Sequence, residues 1–476
     1  MSSQTCYQSK TQNSKTNPQM VAIMVPFPMQ GHLNEALHLS HLINSYGIPV
    51  HYVGYTPYNH QAKLRLHGRD TENLSKIHFH DLQLPTLNSI PPNQEGQIKF
   101  HEHLQPLFDA SLSLRQPMFQ LLKELSSKYT RIVVIHDTLM AFAVQDVKLI
   151  PNAEAFALHT VSAFTIFFYM WESLNEKPFQ LDSNIPKYIP SNEGCFTPEF
   201  ADFVAKQHKI LNFESGRLYN TSRLIEGKYM DLLGELPVNL KKRLFAVGPL
   251  NPVQIKPGNK DNKHRCLDWL DKQEVNSVIY VSFGTATTMT DDQIRELASG
   301  LEKSGQKFIW VLRDADKFGA FGQVESPRLL PQLPEGYEER VRKKGLVIRE
   351  WAPQLEILAH PSTGGFLSHC GWNSCMESIS MGVPIAAWPM HYDQPKNSVL
   401  VTQVLGIGTL VRDWGDRTNV IASTTIENVV VKLMMSEEGR EIRRRAAELG
   451  RRVQESVAKG GSSRLEVDNF IAHITR

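Results

Sequence analysis

Short apolar runs alternate with helical patterns along the first half of the chain. Residues Met20–Val25 are continuously apolar and precede two prolines, a pattern typical of a parallel strand buried on both faces. Apolar or small residues recur with helical spacing from Leu33, and a second strand is predicted at 50–53. A helix at 112–127 precedes a third predicted strand at 131–135. This alternation predicts a parallel sheet with helices on its faces.

The same alternation restarts in the second half of the chain. A strand is predicted at 277–281, a helix at Asp291–Ser304 and another strand at 307–312. Beyond them the pattern predicts a helix that begins near Asn373 and three short strands, at 345–348, 365–367 and 383–387. The predicted fold class is therefore α/β, with two doubly wound, Rossmann-like domains that face a cleft.

Local composition divides the chain into five predicted parts. Residues 1–19 are rich in Ser, Thr, Gln, Asn and Lys and are predicted to form a disordered tail. Residues 250–265 are dense in Pro, Gly, Asn and Lys, which is the composition of a linker. The remaining parts are a first domain at 20–249, a second domain at 266–454 and a C-terminal helix at 455–476.

Overall composition and charge exclude several function classes. The chain has 476 residues, 41% hydrophobic and 21% charged, which provides for two large domains and argues against a disordered or coiled-coil protein. Its net charge of +2 provides no field of one sign to attract nucleic acid. The N-terminus lacks the apolar stretch of a signal peptide, and polar residues interrupt the most apolar window, 153–171, so no membrane insertion is expected. Five scattered cysteines without a CxxC pair favour a reducing, cytoplasmic location.

The stretch 351–394 concentrates groups that recognise small polar ligands. Residues 368–374 cross from a predicted strand into a helix, where backbone N–H groups and the positive end of the helix dipole suit a phosphate. The side chains that can add hydrogen bonds at this junction are His369, Asn373 and Ser374. The side chains suited to sugar hydroxyls are Glu377, Asp393 and Gln394. Their joint presence in a short stretch indicates a nucleotide or sugar site.

This stretch matches, without a gap, the signature box of the plant UDP-sugar-dependent glycosyltransferases that act on small molecules, and the chain resembles that family. The resemblance implies a GT-B fold in which the C-terminal helix packs back on the first domain. It implies donor contacts from Trp351, Ala352 and Gln354 to uracil, from Glu377 to ribose, from His369, Asn373 and Ser374 to the diphosphate, and from Trp372, Asp393 and Gln394 to the transferred sugar. Gly284 and Thr285, in a turn after a predicted strand, resemble the family's other diphosphate contact.

Four further stretches, at 26–34, 50–54, 219–226 and 388–395, look most like the zeatin O-glycosyltransferase branch of that family. This resemblance implies a cytokinin as the hydroxylated acceptor, with flavonoids, other phenolics or terpenoid alcohols as alternatives. Gln394 closes the box as in glucosyltransferases, which favours UDP-glucose as the donor and leaves xylose as the alternative sugar.

Sugar transfer to a hydroxyl needs a base that removes the acceptor proton. His32 follows the first strand, at the sheet edge where open α/β folds bind ligands. Asp137 ends another predicted strand and can hydrogen-bond the second ring nitrogen, whereas the adjacent His136 points to the opposite face. The resemblance implies that His32 and Asp137 form the catalytic dyad. The resemblance also aligns Thr160 with a family residue whose hydroxyl contacts the sugar or the phosphate. The alternative is that the Thr160 hydroxyl lies in the core.

The acceptor slot is expected in the first domain, between aromatic side chains. The candidates are Phe27, Phe164 and Phe168 in that domain, and Tyr392 of the second domain. With the base on one side of the sugar and UDP leaving on the other, a single displacement inverts the anomeric carbon. No cofactor or metal is expected, because no DxD stretch of the chain has flanking carboxylates, and the protein is expected to act as a monomer.

Two other function classes are compatible with two doubly wound domains. An NAD-dependent oxidoreductase would carry GxGxxG after the first strand, but the chain has PFPMQGH at 26–32. A non-catalytic binder of nucleotide sugars or hormones would keep the box but would make the pairing of His32 with Asp137 accidental. Replacement of His32 by alanine distinguishes the glycosyltransferase from the non-catalytic binder. Only the enzyme has a turnover that this substitution removes while donor binding is retained.

Overall fold

The structure is a computed structural model that describes residues 19–64, 75–85, 105–255, 263–285, 287, 289–312 and 333–476. The predicted tail, apart from Gln19, and positions 256–262 of the predicted linker lie outside the described residues. No helix in the described ranges is long and apolar enough to cross a membrane. The apolar window at 153–171 forms a strand, Ala153–His159, and most of a helix, Ala163–Ser173.

Within the described residues the first sheet has seven parallel strands. They are β1 (Met20–Val25), β2 (Val50–Tyr55), β3 (Ile77–Leu82), β4 (Arg131–Asp137), β5 (Ala153–His159), β6 (Gly216–Tyr219) and β7 (Arg243–Ala246). Their spatial order is β3-β2-β1-β4-β5-β6-β7. The predicted strands correspond to β1, β2 and β4. The pattern does not predict β5, which lies in the apolar window at 153–171, or β6 and β7, which have four residues each, or β3, in which histidines alternate with apolar residues.

Helices connect these strands and cover the first sheet. They are α1 (Gln30–Asn44), α2 (Thr56–Leu64), α3 (Gln105–Ser111), α4 (Arg115–Ser126), α5 (Ala141–Val144), α6 (Ala163–Ser173), α7 (Pro198–Ile210) and α8 (Arg223–Glu235). The helix predicted at 112–127 is a 3-10 turn, Leu112–Leu114, followed by α4.

The second sheet has six parallel strands among the described residues. They are β8 (Val278–Ser282), β9 (Lys307–Val311), β10 (Gly345–Ile348), β11 (Thr363–Ser368), β12 (Ile385–Ala387) and β13 (Gly408–Leu410), in the order β10-β9-β8-β11-β12-β13. The helices around it are α9 (Arg265–Leu270), α10 (Asp291–Ser304), α11 (Tyr337–Val341), α12 (Gln354–Ala359), α13 (Trp372–Met381), α14 (Gln394–Val399), α15 (Ser423–Met435) and α16 (Glu437–Ser456). The predicted bounds of α10 and β10 match the structure. The strand orders of the two parallel sheets confirm the predicted α/β fold with two doubly wound sheets.

The C-terminal helix begins later than predicted. The prediction of one helix from 455 is wrong, because α16 ends at Ser456 and α17 (Ser462–Ile474) is a separate helix. Gly460, with φ of +83°, lies in the turn between them. α17 packs on the first sheet, where the Phe470 ring lies 5.4 Å from the Phe156 ring and 5.3 Å from the Phe245 ring.

Each sheet reverses its winding at one pair of neighbouring strands. In the first sheet the pair is β1 and β4, and in the second it is β8 and β11. Open α/β sheets bind ligands at the carboxyl ends of such pairs. A buried apolar cluster that includes Phe164 and Met230 of the first half and Trp372 and Met376 of the second joins the two halves. The segments that follow β1, β8 and β11 line one cleft between the two sheets.

Candidate active site

The N-termini of α1 and α13 meet across this cleft. The Nδ2 atom of Asn373 donates a hydrogen bond to the carbonyl oxygen of Gly31 at 2.8 Å. A Cβ atom on residue 31 would lie 2.9 Å from the same Nδ2, so the close approach favours glycine. The contact fixes His32, the next residue of α1, beside the first turn of α13.

His32 and Asp137, as predicted from the sequence, lie together at the cleft wall. Nδ1 of His32 lies 2.6 Å from Oδ2 of Asp137. The Asp137 side chain is 1% exposed and the His32 side chain 20% exposed, so only the imidazole reaches the cleft. Oδ1 of Asp137 accepts a hydrogen bond from the backbone N–H of Leu139 at 2.9 Å. The carboxyl group is therefore held at both oxygens.

Thr160 adds a hydroxyl to this pair. Its Oγ1 lies 2.9 Å from Nδ1 of His32 and 3.5 Å from Oδ2 of Asp137, a contact that the sequence did not predict. Thr160 also lines the cleft, at the end of β5. His136 faces away from the pair, because its Nδ1 contacts the backbone oxygen of Asp137 at 2.8 Å and its ring stacks on Phe213.

This geometry suits a general base. An ionised Asp137 can only accept hydrogen bonds, so Nδ1 of His32 carries the proton between them. Nε2 of His32 then has the lone pair that can take a proton from a substrate. The buried carboxylate would stabilise the imidazolium that forms.

Two glycines enclose the imidazole of His369. A Cβ atom on Gly284, which has φ of +76°, would lie 2.7 Å from Nε2, and one on Gly371 would lie 2.6 Å from the same atom. A larger residue at either position would displace the ring. Burial lowers the pKa of His369 to about 4, so the ring is neutral at physiological pH. Its Nδ1 has no hydrogen-bond partner in the described part of the chain, and the ring lines the cleft.

The first turn of α13 has the geometry of an anion site. The helix begins after Gly371, which provides no side-chain cap, and its first turn carries no acidic residue. Asn373 and Ser374, in that turn, both line the cleft. Backbone N–H groups at a helix start and the positive end of its dipole attract phosphates. A diphosphate can therefore bind between this turn and His369.

Gln354, Ser374 and Glu377 form a connected polar cluster at one end of the cleft. Nε2 of Gln354 donates to Oγ of Ser374 at 2.9 Å and to Oε2 of Glu377 at 2.7 Å. The Tyr280 hydroxyl donates to Oε1 of Gln354 at 3.3 Å. Burial raises the pKa of Glu377 to about 7, against the opposing effect of the Gln354 hydrogen bond. The ionised carboxylate can accept hydrogen bonds from sugar hydroxyls.

Asp393 and Gln394 close the other end of the cleft. Asn397 donates to Oδ2 of Asp393 at 2.6 Å, and burial raises the pKa of Asp393 to about 6. Oε1 of Gln394 accepts hydrogen bonds from the backbone N–H groups of Met390 and His391 at 2.9 and 3.0 Å. The loop thus holds the Gln394 amide oxygen and orients its side chain.

These side chains surround a cavity of about 220 Å³. The predicted site residues that line it are His32, Thr160, Gly284, Thr285, Trp351, Ala352, Gln354, His369, Trp372, Asn373, Ser374, Glu377, Tyr392, Asp393 and Gln394. Asp137 lies behind His32. The indole N–H of Trp372 donates to the backbone oxygen of Asn220 at 2.8 Å, so that N–H is already engaged within the protein.

Three of the four predicted acceptor residues do not line this cavity. Phe27 is fully buried and packs against Phe108, although its ring edge meets the ring of His32 at 5.2 Å. Phe164 and Phe168 are buried in the cluster that joins the two halves. The prediction relied on their aromatic character. α6 is apolar around most of its circumference, and such a helix is buried. Only Tyr392 of this set reaches the cleft wall.

The sequence also missed residues that the cleft contains. His391 and Thr287 come from loops after different strands, and Nε2 of His391 lies 3.1 Å from Oγ1 of Thr287. Tyr280 lies within β8, where the sequence pattern indicates only a core residue. Among the described residues no group of three or more His, Cys, Asp or Glu side chains is arranged to hold a metal ion.

Comparison with known proteins identifies relatives over nearly the whole chain. The family model described as "Glycosyltransferase, N-terminal domain" matches residues 18–252, and the one described as "UDP-glucoronosyl and UDP-glucosyl transferase" matches residues 231–438. A zeatin O-glucosyltransferase of Phaseolus lunatus is 50% identical over 470 residues, which cover 98% of this chain and 99% of that protein. A zeatin O-xylosyltransferase of Phaseolus vulgaris is 49% identical over 96% of this chain and 98% of that protein.

Solved structures extend the comparison to the fold. A transferase from Siraitia grosvenorii in complex with UDP aligns with a TM-score of 0.76 and 26% identity, over 96% of this chain and 100% of that chain. These likenesses confirm the resemblance found in the signature box and the GT-B fold that it implied. The chain is an enzyme that belongs to the family of UDP-glucosyl and related UDP-sugar transferases.

Proposed function

We propose that this enzyme transfers glucose from UDP-glucose to a hydroxyl group of zeatin, with inversion at the anomeric carbon. One observation carries the proposal: His32, which is backed by Asp137, and the first turn of α13 line the same cavity. A base and an anion site in that arrangement can act on one sugar placed between them. The zeatin transferases of Phaseolus, at 50% and 49% identity, support the acceptor.

The donor is proposed to lie along the box residues. Trp351 stacks on uracil, and the backbone of Ala352 and the side chain of Gln354 contact its edge. Glu377 holds the ribose hydroxyls. The diphosphate receives hydrogen bonds from His369, Asn373, Ser374 and the turn at Gly284 and Thr285. The sugar contacts Asp393, Gln394 and Trp372.

The transfer is proposed as a single displacement. Nε2 of His32 takes the proton of the acceptor hydroxyl while that oxygen forms a bond to the anomeric carbon. The bond between this carbon and the UDP oxygen breaks, and UDP leaves with the electron pair. Asp137 stabilises the imidazolium, and Thr160 holds the pair in position. The diphosphate charge is offset by N–H donors, so we propose that the reaction needs no metal.

We further propose that the enzyme acts as a cytoplasmic monomer. The described residues of a single chain provide both the base and the anion site, so the proposed transfer needs no residue from a second copy. Four described cysteines are free and buried, as is usual in a reducing compartment.

Product analysis tests the proposed substrates. The purified protein is incubated with UDP-glucose or UDP-xylose and with trans-zeatin, cis-zeatin or a panel of flavonoids, and the products are identified by mass spectrometry. We expect O-glucosylated zeatin as the dominant product, with a β-linkage visible in its NMR coupling constants. Conversion of flavonoids with zeatin untouched would contradict the acceptor, and preference for UDP-xylose would contradict the donor.

A further inference from the structure

A second cavity lies in the first half of the chain, apart from the catalytic cleft. Its volume is about 220 Å³, and none of its lining residues lines the cleft. Its walls come from the C-terminal ends of α6 and α7, from strands β5 and β6, and from the loop after α8. The apolar part of the wall includes Met170, Leu174, Leu211 and Leu236.

A buried arginine provides the polar end of this cavity. The Arg217 side chain is 4% exposed, and its Nε and Nη2 atoms donate to Oε1 of Glu214 at 3.3 and 2.9 Å. Its Nη1 has no hydrogen-bond partner within the described residues, and the Tyr219 hydroxyl, with which the guanidinium interacts, has none there either. A guanidinium always carries its charge and has only donors, so a buried N–H of this group requires an acceptor.

The charges around Arg217 leave an excess of positive charge. Glu214 is shared with a second cation, because Nζ of Lys242 lies 3.0 Å from the same Oε1. Burial opposes ionisation of Glu214, but hydrogen bonds from its own backbone, Lys242 and Arg217 bring its pKa below the usual value. One carboxylate therefore faces two cations, which leaves a net positive charge at this end of the cavity and favours an anion there.

His159 provides a second set of unsatisfied polar atoms beside Arg217. It is buried, its ring stacks on Tyr219 at 4.5 Å, and neither ring nitrogen has a hydrogen-bond partner in the described part of the chain. Burial, and then the charge of Arg217, hold its pKa well below the usual value. The neutral ring can donate one N–H to a ligand. The cavity thus combines a guanidinium donor and an imidazole donor with an apolar wall.

We propose that this cavity binds a small organic acid. The carboxylate would accept hydrogen bonds from Nη1 of Arg217 and from His159, and the hydrocarbon part would contact Met170, Leu174 and Leu236. An inorganic anion would satisfy the donors but would leave the apolar wall without a partner, whereas a neutral apolar molecule would leave the guanidinium without one. The site is independent of the proposed transfer reaction.

Calorimetric titration of the full chain with phenylacetate tests this site. UDP is present at saturation, so that the cleft is occupied. We expect one molecule of phenylacetate to bind per chain, and the neutral isostere phenylacetamide to bind at least tenfold more weakly. Absence of saturable binding at millimolar phenylacetate, equal binding of the amide, or binding that is seen only in a second titration without UDP would overturn the proposal.

Variants at the mouth of the cavity locate the binding. Val238 lines the cavity and is 49% exposed, so Val238→Trp can narrow the mouth without disturbing the buried charges. Leu240 is 68% exposed and does not line the cavity, which makes Leu240→Trp the matched control. We expect V238W to weaken phenylacetate binding at least tenfold and L240W to leave it unchanged. Equal affinity in V238W and the unmodified chain would contradict the location. Arg217→Met, if it folds, should also abolish binding.

Discussion

Replacement of Glu377 by glutamine should stabilise the free protein and weaken its affinity for UDP. Glu377 lies in α13, where Gln354 donates to its Oε2 at 2.7 Å. A glutamine at 377 has nearly the same shape and can still accept this hydrogen bond through its amide oxygen. The substitution therefore removes the ionisable group and changes little else.

The size of the stability effect follows from the pKa. Burial raises the pKa of Glu377 from 4.5 to about 7, and at about 1.4 kcal/mol per unit the ionised group costs the folded state about 3 kcal/mol. Because the folded pKa is raised, the full stability is present below pH 4.5 and is lost as pH rises to about 7. At roughly 2.1 cal/mol/K per residue, 476 residues give an unfolding entropy of about 1 kcal/mol/K. The melting temperature of E377Q should thus exceed that of the unmodified chain by about 3 °C at pH 8 and equal it at pH 4.5.

The effect on ligand binding should have the opposite sign. Hydrogen bonds to a charged acceptor contribute about 1.5–3 kcal/mol each, so the loss of one should weaken UDP binding about 10- to 100-fold at pH 8. Calorimetry measures the affinity, and differential scanning fluorimetry at pH 4.5 and 8 measures the melting temperature. The reasoning would be refuted if E377Q melted below the unmodified chain at pH 8, or if it bound UDP with unchanged affinity.

Three further substitutions test other parts of the site. Asp137→Asn should lower kcat by about 10²- to 10⁴-fold, because the imidazolium loses its charged partner. Steady-state kinetics measures kcat, and UDP affinity should stay unchanged. An unchanged kcat would contradict the role assigned to Asp137. Thr160→Val should lower kcat about fivefold, since the loss of one hydrogen bond to the dyad amounts to about 1 kcal/mol, and an effect confined to KM would contradict the positioning role. Gly371→Ala should weaken UDP binding at least tenfold, because its Cβ would lie 2.6 Å from His369 Nε2, whereas the control Gly234→Ala, with open space around its Cβ, should leave binding unchanged. Retained affinity in G371A would refute the role assigned to the ring.

The sequence predicts the central strands of this fold well. β1 and β4 are nearly continuous apolar runs, and only strands buried on both faces have that pattern. The four-residue strands β6 and β7 carry too few residues to form a pattern. They form because they pair with neighbouring strands, β6 with β5 and β7 with β6, so their formation depends on tertiary contacts.

The sequence analysis identifies those site residues that lie close together in the sequence or that match the signature box of the family. Gln354 and Glu377 are both found in this way, and the structure joins them by a hydrogen bond. The contact of Thr160 with His32 spans 128 positions and has no local signal. Phe164 shows the opposite error: its aromatic character fits an acceptor slot, but the packing of α6 buries it.

Turnover by a His32→Ala variant tests the central claim most directly. UDP-glucose and zeatin are the substrates, UDP affinity is measured in parallel, and His60→Ala, on the exposed face of α2, is the control. We predict that H32A loses turnover at least a hundredfold, binds UDP with unchanged affinity and keeps the fold, whereas H60A resembles the unmodified chain. Turnover by H32A close to that of the unmodified chain would contradict the assignment of His32 as the base.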